Sequence, residues 1–333
     1  MWSAALQRVA STGGGAAGSL RAPVTSNAIV LDEPVASRCR GLSLIDVCNV
    51  AFVVLLLAIA LCGLRDPEVV PRLAAFWLGT LLLTAANVWL RRSPSRGWRA
   101  GVLYANPIVQ LFVLFESLFL LIPAVRTARY DDVMVTADRW LCGFDPSQYI
   151  ERWNHPWLDE FFFVVYMLYF PMPLVTLTWL FLLRQYQNVE RVFFVFLACY
   201  YPCYLIYVAV PTAGPHIHLA GEYKVAIEGL WLTMPIRGLL SALEPSKVDA
   251  FPSVHTAILL TTMLISWRYQ RRVFWWFLPL AVAILWSLLY TRQHYIVDVI
   301  AGAVVSIVTA ALAFLTLPWL SQGFAPHWPV ESA

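Results

Sequence analysis

The sequence predicts an all-α fold, a polytopic membrane bundle of about eight transmembrane helices with an interfacial amphipathic segment. Three observations lead there. Of the 333 residues, 60% are hydrophobic and only 13% charged, with a mean hydropathy of +0.67. The apolar residues fall into long runs, and about 20 residues of helix cross a hydrocarbon core. Arginines gather in alternate connections, as they do in loops on the cytoplasmic side. Helices are the form such runs take, because a backbone in lipid must satisfy its own hydrogen bonds.

The runs cover 44–64, 71–90, 102–125, 159–183, 191–210, 252–267, 273–291 and 296–317. Residues 1–43 are rich in Gly, Ala and Ser, carry Arg8, Arg21, Arg38 and Arg40, and lack the compact apolar core of a signal peptide. They read as a disordered cytoplasmic tail. The first three runs make an N-terminal unit, 44–125, and residues 126–317 make a second unit that carries the chemistry. The second unit opens with 126–158, where Arg126, Arg129, Asp131, Asp132, Asp138 and Arg139 are mixed with Val133, Met134, Val135, Trp140 and Leu141. That pattern suits an amphipathic helix lying in the membrane interface, and equally an irregular solvated loop. Residues 318–333 read as a cytoplasmic tail.

Arg91, Arg92, Arg96 and Arg99 lie between the second and third runs, Arg184 and Arg191 flank the next loop on that side, and Arg268, Arg271 and Arg272 follow the sixth. With eight spans, these sets and both termini share the cytoplasmic side of a multi-pass cell-membrane protein. The opposite, extracytoplasmic side receives 126–158, 211–251 and the turn at Arg292–His294. It holds His155, His216, His218, His255 and His294, leaving only His327 inside. A net charge of +3 without a basic tract interleaved with aromatics excludes a nucleic-acid surface. Cys39, Cys48, Cys62, Cys142, Cys199 and Cys203 show neither metal spacing nor a disulfide framework.

Two short segments carry chemistry. In Pro252-Ser253-Val254-His255, proline suits a first helical turn, whose free N–H groups attract an anion. Ser253 adds a hydroxyl donor, and His255 stands where it can reach the leaving oxygen of a bound phosphate. A capped helix with an interfacial histidine has the same sequence. In His294-x-x-x-Asp298, a carboxylate four residues on shares the histidine's helix face and can fix its tautomer and orientation; a simple interface pair is the alternative. The two histidines are 39 residues apart in the chain (294 − 255), the length of one down-and-back pair of spans, which converges them on one pocket. Arg292, Arg237 and Lys224, in that order, are the nearest cations for clamping phosphate, though Lys224 reads equally well as a solvated loop residue. His216 and His218 alternate without a third ligand, so no metal or cofactor is called for. Glu116 lies inside the third run, where a carboxylate is a functional candidate; hydrogen bonding to a Tyr or Asn within the bundle is the alternative.

Phe251-Pro252-Ser253-Val254-His255 and His294-Tyr295-Ile296-Val297-Asp298-Val299-Ile300-Ala301-Gly302 resemble the second and third motifs of the type-2 phosphatidic acid phosphatase superfamily. Within it they are most similar to the inositol phosphorylceramide synthase-like, or inositolphosphotransferase, branch. Pro211-Thr212-Ala213-Gly214-Pro215 resembles another segment of that branch, and the likeness covers roughly 125–317. The resemblance implies that His294 attacks phosphorus to form phosphohistidine and that Asp298 orients it. It implies that His255 protonates the leaving oxygen and then activates the acceptor, without metal. Two positions depart from the superfamily pattern. Leu288 stands where many members carry an arginine, and Lys224 with Arg237 does not form the upstream Lys-x6-Arg-Pro motif. The implied activity moves an inositol-phosphate or other polyol-phosphate head group from a phospholipid to a lipid hydroxyl. The alternative is hydrolysis of phosphatidate or a polyprenyl (pyro)phosphate. A non-catalytic lipid transporter is a third reading, hinted at by Glu116 and the Pro171/Pro173 pair.

Overall fold

A computed structural model describes residues 41–92, 97–243, 247–324, 326 and 327. Most of the expected N-terminal tail, 1–40, lies outside the described residues. Helix α1 (Leu44–Gly63) starts at a reciprocal cap: the Ser43 hydroxyl accepts the Asp46 N–H at 3.3 Å, and the Asp46 carboxylate accepts the Ser43 N–H at 2.9 Å. A short 3-10 turn leads into α2 (Val70–Arg92), and α3 (Gly97–Val125) follows. A column of buried amides ties the three together. Asn49 donates to Gln110 at 2.6 Å, Gln110 to the Thr84 hydroxyl at 2.8 Å, and Asn106 to Asn87 at 2.7 Å. In a membrane such bonds hold helices in register, because an unpaired amide would face hydrocarbon.

The segment after α3 is helical, which decides between the two readings of 126–158. It contains α4 (Asp131–Cys142), α5 (Pro146–Ile150) and a 3-10 turn at Glu151–Trp153. Helix α4 buries Met134 and Val135 and exposes Val133 and Trp140. The run expected at 159–183 is broken into α6 (Pro156–Met167) and α7 (Pro171–Leu182). Pro171 has no N–H to continue the ladder onto the carbonyl four residues back, and the chain tightens through Leu168–Phe170 before restarting. The remainder comprises α8 (Tyr186–Ala209), α9 (Pro215–His218), α10 (Thr233–Leu243), α11 (Val254–Tyr269), α12 (Arg271–Tyr290) and α13 (Ile296–Leu320). No strand occurs among the described residues; a single parallel bridge joins Thr212 and Asp249.

Among the described residues, seven helical stretches are long and apolar enough to cross a membrane: Leu44–Gly63, Pro67–Arg92, Trp98–Val125, Pro156–Leu182, Tyr186–Ala209, Arg271–Tyr290 and Ile296–Gly323. The protein is thus a multi-pass helical membrane protein, with one fewer full-length span than expected. The difference lies in α11, whose 16 residues extend only about 24 Å at 1.5 Å per residue. It packs against α7, α8, α12 and α13 and buries most of its side chains. A helix so enclosed faces protein rather than lipid. It also begins later than the sequence suggested: Ser253 is its N-cap and Val254 its first residue, so Pro252 precedes the helix.

The chain end expected to be a tail from 318 remains helical to Leu320. Further on, His327 is fully buried, with Nε2 2.9 Å from the Leu103 carbonyl and Nδ1 2.8 Å from the Ser43 hydroxyl. Arg268 and Arg271 flank Gln270, where α11 passes into α12. His255 and His294 lie at the opposite ends of those two helices.

Candidate active site

The site is built where α11 starts and α13 starts. The Ser253 hydroxyl accepts the Thr256 N–H at 3.2 Å, and the Ser253 N–H donates to the Asp298 carbonyl at 3.0 Å. The two helix starts are therefore stitched together directly. Gly302, one turn beyond Asp298 in α13, permits this: a Cβ there would sit 2.3 Å from the Ser253 carbonyl oxygen. Gly214, at φ +87°, does the same for the neighbouring loop, where a Cβ would lie 2.5 Å from the Gln293 carbonyl oxygen.

His255 and His294 meet, with Nδ1 of the first 2.9 Å from Nε2 of the second. The other contacts fix the protons. His294 Nδ1 is 2.9 Å from the Ala250 carbonyl oxygen, which only accepts, so Nδ1 carries the hydrogen and Nε2 of the neutral ring is a lone pair. His255 Nδ1–H then donates to that lone pair, and His255 Nε2 accepts from the Tyr166 hydroxyl at 2.6 Å. Tyr169 packs edge-on to the His255 ring at 4.2 Å. Both tyrosines come from the broken helix, Tyr166 from α6 and Tyr169 from the break itself.

Asp298 lies behind His294 rather than in hydrogen-bond contact with it. Its Oδ2 is 3.5 Å from His294 Nδ1 and accepts the Tyr295 N–H at 2.8 Å. The N-terminal N–H groups of α13 draw the carboxylate in, and the Ala250 carbonyl becomes the nearest acceptor for the histidine. Asp298 is fully buried, and its Oδ1 has no hydrogen-bond partner among the described residues. Burial pushes the His294 pKa down to about 4, against the opposing pull of Asp249 and the Ala250 bond. The ring is therefore neutral at physiological pH, the state a nucleophile needs. Its lone pair is lost only as pH falls through that value. The acid limb of kcat/KM, which reports the free enzyme, is expected near pH 4 rather than near the ordinary imidazole value of about 6.5. A pH–rate profile with its acid limb at the ordinary value would contradict this.

The three cations expected to clamp phosphate are brought into one place. Lys224, Arg237 and Arg292 line a polar cavity of about 340 Å³ together with His216 and Tyr223. Arg292 adopts a left-handed φ of +60°, a conformation costly for a side chain with a Cβ. It is held there by a 2.7 Å bond to the Asn154 side chain, a 3.1 Å bond to the Val225 carbonyl, and the Tyr223 ring 3.8 Å beneath its guanidinium. Arg237 donates to the Ile227 carbonyl at 2.6 Å. Burial, with the neighbouring cations, lowers the His216 pKa to about 3, so His216 adds no charge. Ser253 lines neither this cavity nor the apolar one beside His255; its hydroxyl is the cap of α11. His218 points away from His216, to Asp132 at 3.0 Å.

A second, apolar cavity of about 140 Å³ adjoins His255 and includes Tyr169, Tyr204, Asp249 and Glu116. His255 lines the apolar chamber, and Gln293, the neighbour of His294, lines the cation-lined one.

Comparison with known proteins decides the family. The PAP2 superfamily profile matches residues 132–312, more than half of the chain. The chain belongs to the PAP2 superfamily. It is therefore an enzyme of a phosphatase and phosphotransferase family. The PAP2 region runs from α4 into α13 and leaves α1–α3 outside. Among curated proteins, the bacitracin transport permease protein BcrC of Bacillus licheniformis is 33% identical over 73 residues, which are 22% of this chain and 36% of that protein. The match spans about a third of that relative's length. No solved structure matches the chain significantly.

Several residues that build this PAP2 site were not singled out from sequence. Asp131 accepts the N–H groups of Ala213 and Gly214 at 2.9 and 3.0 Å. Asp138 accepts those of Ile296 and Val297, each at 2.9 Å, and so caps α13. The acidic face of α4 thereby pins both loops that frame the histidines. The signal for it was present as acidic residues on an amphipathic helix, but nothing local names their partners. Tyr166, Tyr169 and Asp249 likewise carry no motif.

Proposed function

We propose that the protein is a membrane-embedded lipid phosphotransferase working through phosphohistidine. The observation that carries this is the 2.9 Å approach of His255 to a His294 whose Nδ1 is already committed to the Ala250 carbonyl. That leaves Nε2 as the attacking atom. In the proposed reaction, a donor phosphate enters between the rings and the pair separates to admit it. His294 Nε2 forms a bond to phosphorus as the bond to the lipid oxygen breaks, and His255, which has taken up a second proton as imidazolium once the anionic donor is bound, gives that oxygen a proton and returns to the neutral ring. An acceptor hydroxyl then returns its proton to His255 and attacks phosphorus, and the N–P bond breaks. Arg292, Arg237 and Lys224 hold the equatorial oxygens and the anionic head group. Asp298, 3.5 Å from His294, favours the positive charge that develops on the ring.

The donor proposed is an inositol-phosphate or related polyol-phosphate lipid and the acceptor a lipid hydroxyl. This draws on the likeness of residues 251–255, 294–302 and 211–215 to the inositolphosphotransferase branch. Two chambers, one lined by His255 and one by Gln293 next to His294, suit a reaction with two substrates. Hydrolysis of phosphatidate or a polyprenyl (pyro)phosphate is the second reading, favoured by membership in a superfamily that includes phosphatases. The relative's printed name is that of a transport permease; a transporter has no need of a paired, tautomer-fixed nucleophile. The active site is proposed to face the extracytoplasmic side, because Arg91, Arg92, Arg184, Arg268, Arg271 and Arg272 cluster at the other ends of the helices.

Purified protein given phosphorus-labelled phosphatidylinositol, with and without diacylglycerol or ceramide, tests the reading. A new labelled lipid that requires the added alcohol is expected. Release of label to water alone assigns the hydrolase, and no turnover of any phospholipid contradicts both.

A further inference from the structure

The apolar cavity beside His255 has a wall from outside the PAP2 region. Pro107, Leu111, Phe115 and Glu116 of α3 face Leu174 of α7 and Tyr204 of α8 across it. Its depth can be read from contacts. Thr261 of α11 donates to Cys199 of α8, so His255, six residues nearer the start of α11, stands level with residues 204–205 of the antiparallel α8. The Phe115 and Tyr204 rings meet at 5.4 Å. Glu116 therefore lies at the same depth as His255, across the same small cavity. Exposed Phe112 and Leu174 also line the cavity, giving it a side opening toward lipid between α3 and α7.

Charge separates the two chambers. Lys224, Arg237 and Arg292 line the polar one; no lysine or arginine lines the apolar one, which instead holds Glu116 and Asp249. Glu116 makes no hydrogen bond or ion pair among the described residues, contrary to the expectation of a Tyr or Asn partner in the bundle. A carboxylate at membrane depth without a partner is costly, and a ligand that donates a hydrogen bond relieves that cost. A phosphate would be repelled.

We infer that this chamber is the binding site for the acceptor, a neutral lipid alcohol bearing a second hydrogen-bond donor close to its reacting hydroxyl, and that Glu116 accepts from that second donor. The inference rests on the phosphotransferase reading and deepens it. The anionic donor enters the cationic chamber, beside Gln293 and hence next to His294, and the uncharged alcohol enters the acidic one, whose wall includes His255. Selection of the acceptor then lies on α3, outside the family domain.

The test uses the full-length protein and two probes, 1-monooleoylglycerol and its 2-O-methyl ether, which differ only in the second donor. The wild type is expected to bind the diol about tenfold more tightly than the ether, the scale of one hydrogen bond to a charged group. Glu116→Leu should abolish that preference, and Glu116→Gln, which keeps an accepting oxygen, should retain it. Loss of binding to both probes equally in Glu116→Leu, or an unaltered preference, would overturn the assignment. The binding cycle needs no turnover, so its outcome stands apart from the labelled-lipid assay. Release of label to water alone in that assay, with a positive cycle here, rejects the transferase reading alone, and the reverse pattern rejects the acceptor site alone.

Discussion

His294→Ala is expected to lower turnover by on the order of 10⁴-fold or more, the scale seen when a covalent nucleophile is removed. The variant should still insert and fold, since the ring's hydrogen bonds go to His255 and the Ala250 carbonyl in a wall otherwise built from backbone bonds between the helix starts. His255→Ala should be nearly as damaging on a lipid substrate, for a different reason. The His294 lone pair is then unshielded and the attack remains possible, but the leaving alkoxide receives no proton. A nitrophenyl phosphoester, whose leaving group needs none, separates the two roles. His255→Ala should recover much of the first step on that substrate, and His294→Ala should recover nothing. Equal behaviour of the two variants on both substrates would show that the roles are wrongly divided.

Gly302→Ala is the second large effect. The added Cβ would lie 2.3 Å from the Ser253 carbonyl oxygen and 3.1 Å from the Thr256 Cβ. The nearest obstacle is backbone, so α11 and α13 must part. Overpacking of this kind costs about 1–3 kcal/mol, which a thermal unfolding measurement would register. Catalysis should suffer more than stability, because the same two helix starts carry the two histidines. A displacement of about 1 Å at reacting atoms costs on the order of 10²-fold. Gly101→Ala is the control: a Cβ there meets nothing within 4 Å, and alanine favours the helix by about 1 kcal/mol. Its activity and melting point should equal or exceed those of the wild type. A Gly302→Ala protein as active as Gly101→Ala would refute the close contact.

Most of the helical layout was legible because lipid enforces it: apolar runs, their lengths and the arginine alternation are properties of local sequence. The histidine pair was legible because two motifs end on one side of one hairpin. What escaped were contacts between elements distant in the chain. Pro171 and Pro173 could be seen, but not that the break they impose would set Tyr166 and Tyr169 against His255. Asp131 and Asp138 could be placed on an amphipathic helix, but not under Gly214 and Ile296, because a free N–H at a distant loop leaves no mark on a carboxylate's own neighbourhood. The spacing of His294 and Asp298 suggested direct contact. The helix N-terminus competes for that carboxylate, and Ala250, a residue with no polar side chain to draw attention, supplies the acceptor through its backbone. The short α11 was read as a span because composition alone does not distinguish a helix buried in protein from one facing lipid.

The most direct test of the account is to trap the covalent intermediate. His255→Ala protein would be mixed with a phosphorus-labelled nitrophenyl phosphoester, whose leaving group needs no proton, then quenched in alkali, where a phosphorus–nitrogen bond survives, and mapped by peptide. Label on His294, lost on acid treatment and absent from His294→Ala, is the predicted result. Turnover by the wild type with label on no histidine, or on a histidine other than His294, would contradict it.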